Sequence, residues 1–157
     1  MTLVRNKNDL RQAIHEAMLK YGPACDLNHL DIGRLHDLSF LFQVFPTFCG
    51  DISQWNTSNV RSMECLFDSC QFNGDISKWN TSSLQDMHGM FLDTQFNGDI
   101  SKWNVHRVIN IASMFKNCPF RGNISRWDLT NVEYAQEVFT SFQDNLPGYL
   151  GVLQGEY

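Results

Sequence analysis

Five cysteines (Cys25, Cys49, Cys65, Cys70, Cys118), five histidines (His15, His29, His36, His88, His106) and a Gly-Asp pair recurring at 50–51, 74–75 and 98–99 are the residues whose types could do chemistry. A cysteine can be a nucleophile, a redox thiol or a zinc ligand, a histidine a base or a metal ligand, and a row of aspartates a calcium cage. Their spacing argues against each. The cysteine count is odd and no C-x-x-C pair occurs, so neither a disulfide framework nor a zinc ribbon is written, and the thiols are expected to be reduced, with Cys70 and Cys118 buried in the turns after Phe67 and Phe115. Cys70 and Cys118 hold the same place two copies apart, which at about 4.8 Å per row exceeds the roughly 7 Å reach of a disulfide. No two histidines share a metal-ligand spacing. One aspartate per copy, replaced by Asn123 in the fourth, is not the dense carboxylate loop of a calcium site; Asp51, Asp75 and Asp99 are expected to accept from backbone amides in a turn. With no glycine-rich phosphate loop either, no catalytic residue, metal or cofactor is expected, and the chain reads as a non-enzyme.

The elements that place these residues follow from an internal repeat. Phe48-Cys-Gly-Asp-Ile-Ser-Gln-Trp55 resumes at Phe72, Phe96 and Phe120, with Trp79, Trp103 and Trp127 each 24 residues after the last. A degenerate copy upstream aligns Leu27, Leu30, Ile32, Leu35, Leu38, Leu41 and Phe42 with Ile52, Trp55, Thr57, Val60, Met63, Leu66 and Phe67 at an offset of 25. Each copy has two halves. Ile52, Trp55, Thr57 and Val60 follow the apolar-x-x-apolar-x-apolar spacing of a leucine-rich repeat, which predicts a short strand with these side chains inward. Val60, Met63, Leu66 and Phe67 fall at i, i+3, i+6 and i+7, which predicts a short helix capped by the Thr/Ser/Asn cluster at 57–59. The recurring glycine (Gly50, Gly74, Gly98, Gly122) is expected to take a positive φ and turn the chain back.

The expected fold is therefore an α/β solenoid: a leucine-rich-repeat-like stack of five strand-helix coils at 26–47, 48–71, 72–95, 96–119 and 120–142. Residues 1–25 read as an N-terminal capping helix, with Leu10, Ile14, Ala17, Met18 and Tyr21 on one stripe, Asn8 as cap, Gly22-Pro23 as stop and an exposed Glu16–Lys20 pair. Residues 143–157 read as a C-terminal cap, because Phe142, Leu146, Tyr149, Leu150, Val152 and Leu153 are too apolar for a free tail.

The motif Phe72-Asn-Gly-Asp-Ile-Ser-Lys-Trp-Asn-Thr-Ser82 resembles the BspA-like leucine-rich repeats of bacterial and mycoplasma proteins. That resemblance covers about residues 26–142 and implies a non-enzymatic repeat protein, many relatives being surface proteins that bind host or bacterial partners. The 157-residue chain carries 12 Lys+Arg against 17 Asp+Glu, a net charge of −5. Nothing in this balance draws it to nucleic acid or anionic lipid. The N-terminal stretch has no hydrophobic core of a signal peptide, so a cytoplasmic monomer is expected.

If Trp55 and Thr57 face inward, their neighbours face out. The outward columns are Gln54, Lys78, Lys102, Arg126; Asn56, Asn80, Asn104, Asp128; and Ser58, Ser82, His106, Thr130. Acids gather towards the C-terminus: Asp128, Glu133, Glu137, Asp144 and Glu156 stand against Arg121 and Arg126 from residue 121 onward. The expected binding surface comprises Lys78, Lys102, Arg126, Asn56, Asn80, Asn104, Asp128, His106, Glu133 and Glu137. Its expected partner is a specific protein, most concretely a toxin with a basic active site that this chain neutralises as an immunity protein or antitoxin. The alternative is a surface adhesin, as the resemblance implies.

Overall fold

The computed structural model describes residues 2–139, so the cap expected at 143–157 lies outside the described residues. Regular elements are few. β1 spans Thr2–Leu3, α1 Lys7–Tyr21 and β2 Leu30–Asp31, and β1 pairs in parallel with β2. This overturns the expected α/β solenoid of leucine-rich-like strand-helix coils. Among the described residues no repeat copy carries a helix, and strand pairing beyond β1–β2 is confined to isolated parallel bridges such as Ser62 with Asp86 and Asp86 with Asn110.

The reason lies in what a three-residue apolar spacing can mean. It marks one face of a helix, and equally the two ends of a β-turn. Here it marks turns: the Trp55 amide donates to the Ile52 carbonyl at 3.2 Å, Val60 to Thr57 at 2.9 Å, Leu66 to Met63 at 3.1 Å and Cys70 to Phe67 at 2.9 Å. Left-handed residues then bar a helix. Cys65 (φ 48°) and Ser69 (φ 56°) are the third residues of two such turns, and Gly89 with Asp93 and Ser113 with Asn117 repeat them. Amides that a helix would direct back along its own chain reach the next copy instead. Met63, Cys65, Phe67 and Ser69 donate to the carbonyls of Asp86, His88, Met90 and Leu92 at 2.8–3.1 Å, so the backbone groups are satisfied without regular structure.

The inward assignment of the first half holds. Ile52, Trp55, Thr57 and Val60 are all buried, as are their counterparts in the later copies. The indoles of Trp55, Trp79, Trp103 and Trp127 stack with centroids 6.4–6.5 Å apart and planes within 6°. Phenylalanines from consecutive copies pack beside them, as in Phe67 on Phe72 (4.2 Å) and Phe91 on Phe96 (4.0 Å). Such offset stacking adds about 0.5–1.5 kcal/mol per pair beyond the area buried. Each indole N–H also donates to the copy before it: Trp55 to Leu27, Trp79 to Ile52, Trp103 to Ile76 and Trp127 to Ile100, at 3.0–3.2 Å. Thr57 and Thr81 explain how a hydroxyl can sit in this core, since each donates to the next copy's Asn80 or Asn104 carbonyl at 3.0 Å.

The recurring glycines serve a different purpose from the one expected. None of Gly50, Gly74, Gly98 and Gly122 has a positive φ. A Cβ at Gly98 would lie 2.9 Å from the Phe96 ring, and one at Gly50 would run into the Cys25 carbonyl oxygen and the Phe48 ring. What these positions need is space for the ring two residues earlier.

At the N-terminus α1 covers the first copy with Leu10, Ile14 and Ala17. Its cap is Asn6, whose side chain accepts from the Asp9 amide at 2.9 Å, rather than Asn8. Gly22 (φ 82°) ends it, donating to the Met18 carbonyl. Tyr21 leaves the expected stripe and is exposed, with the Lys20 ammonium 4.8 Å from its ring, while Glu16 pairs with Gln12 instead of Lys20. Lys7 ties the helix to the array by donating to the Asp37 carboxylate (2.6 Å) and to the Ser39 carbonyl and hydroxyl.

Candidate functional site

Side chains of the first half-copy are largely committed to turns. The Asp51, Asp75 and Asp99 carboxylates each accept from the amide two residues on, at Ser53, Ser77 and Ser101, at 2.9 Å, and Asn123 does the same for Ser125. These bonds favour the ionised form and hold all three aspartates below the usual carboxylate range. The next column behaves alike: Asn56 accepts from the Ser58 amide, Asn80 from Ser82, Asn104 from His106 and Asp128 from Thr130. Lys78, Lys102 and Arg126 are exposed, but on turns and not on strands of a sheet.

The structure brings several of the expected contact residues together at the C-terminal end of the array. The His106 ring nitrogen Nδ1 lies 2.8 Å from the Asp128 carboxylate. Asp128 is held down to about 2 by the Thr130 hydroxyl first, then by His106 and the Thr130 amide. Glu137 pairs with Lys116, and the shared hydrogen bond lowers the acid and raises the amine. Glu133 has no ion pair among the described residues. It lines an open concavity of about 500 Å³ with Gln85, His106, Arg107, Ile109 and Asn131. Asn131 donates across it to the His106 carbonyl at 2.6 Å, and Glu133 and Tyr134 both donate their amides to the Ile109 carbonyl. Lys78, Asn56 and Asn80 belong to earlier copies and do not line this concavity.

Two apolar side chains that sequence reasoning passed over stand beside it. Ile109 is 41% and Tyr134 50% exposed. The signal was available: Arg61, Gln85, Ile109 and Glu133 occupy one repeat position, and Ser62, Asp86, Asn110 and Tyr134 the next. Only the later copies carry an apolar residue there.

No disulfide links the cysteines. Burial pushes the Cys25 and Cys118 thiols up, and takes Cys70 to about 11. Cys65 is also pushed up to about 11, by burial and then by the charges of Asp68, Glu64 and Asp86. The Sγ of Cys70 and of Cys118 donates to the Phe48 and Phe96 carbonyls respectively.

A protein of stacked, turn-built copies with a mixed acidic and apolar surface at one end is the class these observations define. The chain belongs to the family described as "Mycoplasma protein of unknown function, DUF285", whose model matches residues 9–118 and, in a second overlapping placement, residues 36–149. No curated protein and no solved structure matches the chain. Among the described residues no helix is long and apolar enough to cross a membrane.

Proposed function

We propose that this chain is a non-catalytic protein-binding module, in its most concrete form a cytoplasmic immunity protein or antitoxin that covers the basic active site of a toxin such as a nuclease. The carrying observation is the change in the outward columns along the array. The columns of Arg61 and Ser62, polar in the earlier copies, become apolar at Ile109 and Tyr134 around the acidic Glu133, beside a concavity. An exposed tyrosine and an aliphatic side chain next to an acid without an ion pair among the described residues are the ingredients of an anchored contact with a basic partner.

The titrating groups support a non-catalytic reading. A nucleophilic thiol needs its pKa lowered, whereas four of these thiols are raised by burial. A general acid needs its pKa raised towards neutrality, whereas the shifted carboxylates are all lowered by turn and ion-pair contacts.

The test is whether the chain copurifies with a small basic protein from its native host and restores growth to cells that express that protein. Glu133→Lys and Ile109→Asp are expected to weaken the complex by roughly tenfold or more each while leaving the circular dichroism unchanged. Full affinity in both variants sinks the proposal. The second reading, a BspA-like surface adhesin, is favoured by the Phe72–Ser82 motif. It requires the chain to be digested by protease added to intact cells.

A further inference from the structure

We propose that Glu64, Cys65 and His88 form a binding site for a borderline-soft divalent cation of the zinc type. The proposal stands apart from the reading as a protein-binding module and uses none of the same residues. One donor atom from each side chain lies within 4.8 Å of the other two. Around a tetrahedral ion with metal–ligand distances of about 2.0–2.3 Å, donors sit roughly 3.5 Å apart. The trio therefore closes on an ion by movements of about an ångström at the ends of the side chains, leaving a fourth position for water or an external ligand.

Three features of the fold hold this geometry. Glu64 and His88 occupy the same repeat position in adjacent copies, so the stacking itself sets them side by side. The backbone beneath is fixed, because the Cys65 amide donates to the His88 carbonyl at 2.8 Å and the His88 amide to the Asp86 carboxylate at 2.8 Å. The sulfur has a place made for it: a Cβ at Gly89 would lie 2.9 Å from Cys65 Sγ, so only glycine leaves that space.

The chemistry of the set selects the ion. Thiolate, imidazole and carboxylate together suit zinc, cobalt or cadmium, whereas calcium and magnesium require oxygen donors throughout. Asp68 and Asp86 add negative charge near the thiol. On binding, the Cys65 S–H bond breaks, its proton passes to solvent and a sulfur–metal bond forms. The other copies place Ser39 with Phe40, Ala112 with Ser113 and Gln136 with Glu137 at these two positions, so no other adjacent pair of described copies offers the same three donors.

The experiment titrates the reduced full-length chain with cadmium, following the ultraviolet charge-transfer band of a cadmium–thiolate bond, and with zinc by calorimetry. One equivalent of each is expected to bind. Cys65→Ser should abolish the band; His88→Ala and Glu64→Gln, at half-buried positions that the core does not use, should each weaken zinc binding roughly tenfold or more. Cys49→Ser, at the exposed cysteine, should change nothing. A band that survives Cys65→Ser, zinc affinity indifferent to both His88→Ala and Glu64→Gln, or no band at millimolar cadmium overturns the site.

Discussion

The two halves of each copy hold the stack together by different means. In the half from Gly50 to Val60, the links that recur from copy to copy run through side chains: indole N–H to an isoleucine or leucine carbonyl, threonine hydroxyl to an asparagine carbonyl. Backbone pairing there is confined, among the described residues, to Asp51 with Cys25 and Leu27. In the half from Met63 to Cys70, the links run from amide to carbonyl along the backbone. A side-chain link needs the same residue in every copy, and Trp, Ile and Gly recur there. A backbone link is indifferent to the outward side chain. That is why the Glu64, His88, Ala112, Gln136 column and the Arg61, Gln85, Ile109, Glu133 column vary, and why both the proposed cation site and the proposed contact surface fall in or next to this half. Outward side chains vary most where the structure asks least of them.

The largest effect should come from removing a side-chain link. Trp103 is stacked between Trp79 and Trp127 and donates to the Ile76 carbonyl at 3.2 Å. Trp103→Ala should cost about 3–5 kcal/mol in chemical denaturation, from the lost ring and the cavity left between copies. An outward substitution bordering the other half, such as Gln85→Ala at an exposed position, should change stability by no more than about 0.5 kcal/mol. Equal losses in the two variants would break the distinction between the halves.

A smaller effect sharpens it at the glycines. At Gly98 a methyl group meets the Phe96 ring at 2.9 Å, so Gly98→Ala must shift a core phenylalanine, at about 1–3 kcal/mol. Since φ is not positive there, the loss should be relieved by shortening the ring, and Gly98→Ala with Phe96→Leu should lose less than the two single changes summed. Strict additivity in that double-mutant cycle would show that the glycine answers to something other than the ring.

These positions also show what can be read from sequence. The period, the inward set Ile52, Trp55, Thr57 and Val60, the capping helix, and the Asp51-type turns were all legible, because burial and Asx turns leave recurring residue types. The strand expected in the first half and the helix expected in the second are both turns, because apolar residues three apart fit regular structure and a turn equally. The deciding left-handed positions are occupied by Cys65 and Ser69, which give no local signal. Gly89 with Asp93, and Asn117, did carry one, since glycine, aspartate and asparagine tolerate that conformation best. The Glu64–Cys65–His88 cluster escaped for another reason. Its residues have no metal-ligand spacing along the chain, because they meet across the 24-residue register.

The smallest expected effect separates the last described copy from the earlier ones. Asp128 holds the position that is Asn56, Asn80 and Asn104 in the other copies, and its contacts with Thr130 and His106 lower it from 3.8 to about 2. A carboxylate lowered on folding contributes stability that is fully present above the unfolded value. That contribution is lost as pH falls through the folded one, here between 3.8 and about 2. Asp128→Asn keeps an acceptor for the Thr130 amide and hydroxyl but removes the charge facing His106. The variant should lie close to the parent near pH 7, as expected for a solvent-screened exposed pair, and should show a shallower loss of stability across that acid window. An acid-unfolding curve that superimposes on the parent's would mean that Asp128 acts only as a turn residue like its asparagine counterparts, and that the ion pair with His106 adds nothing to the fold.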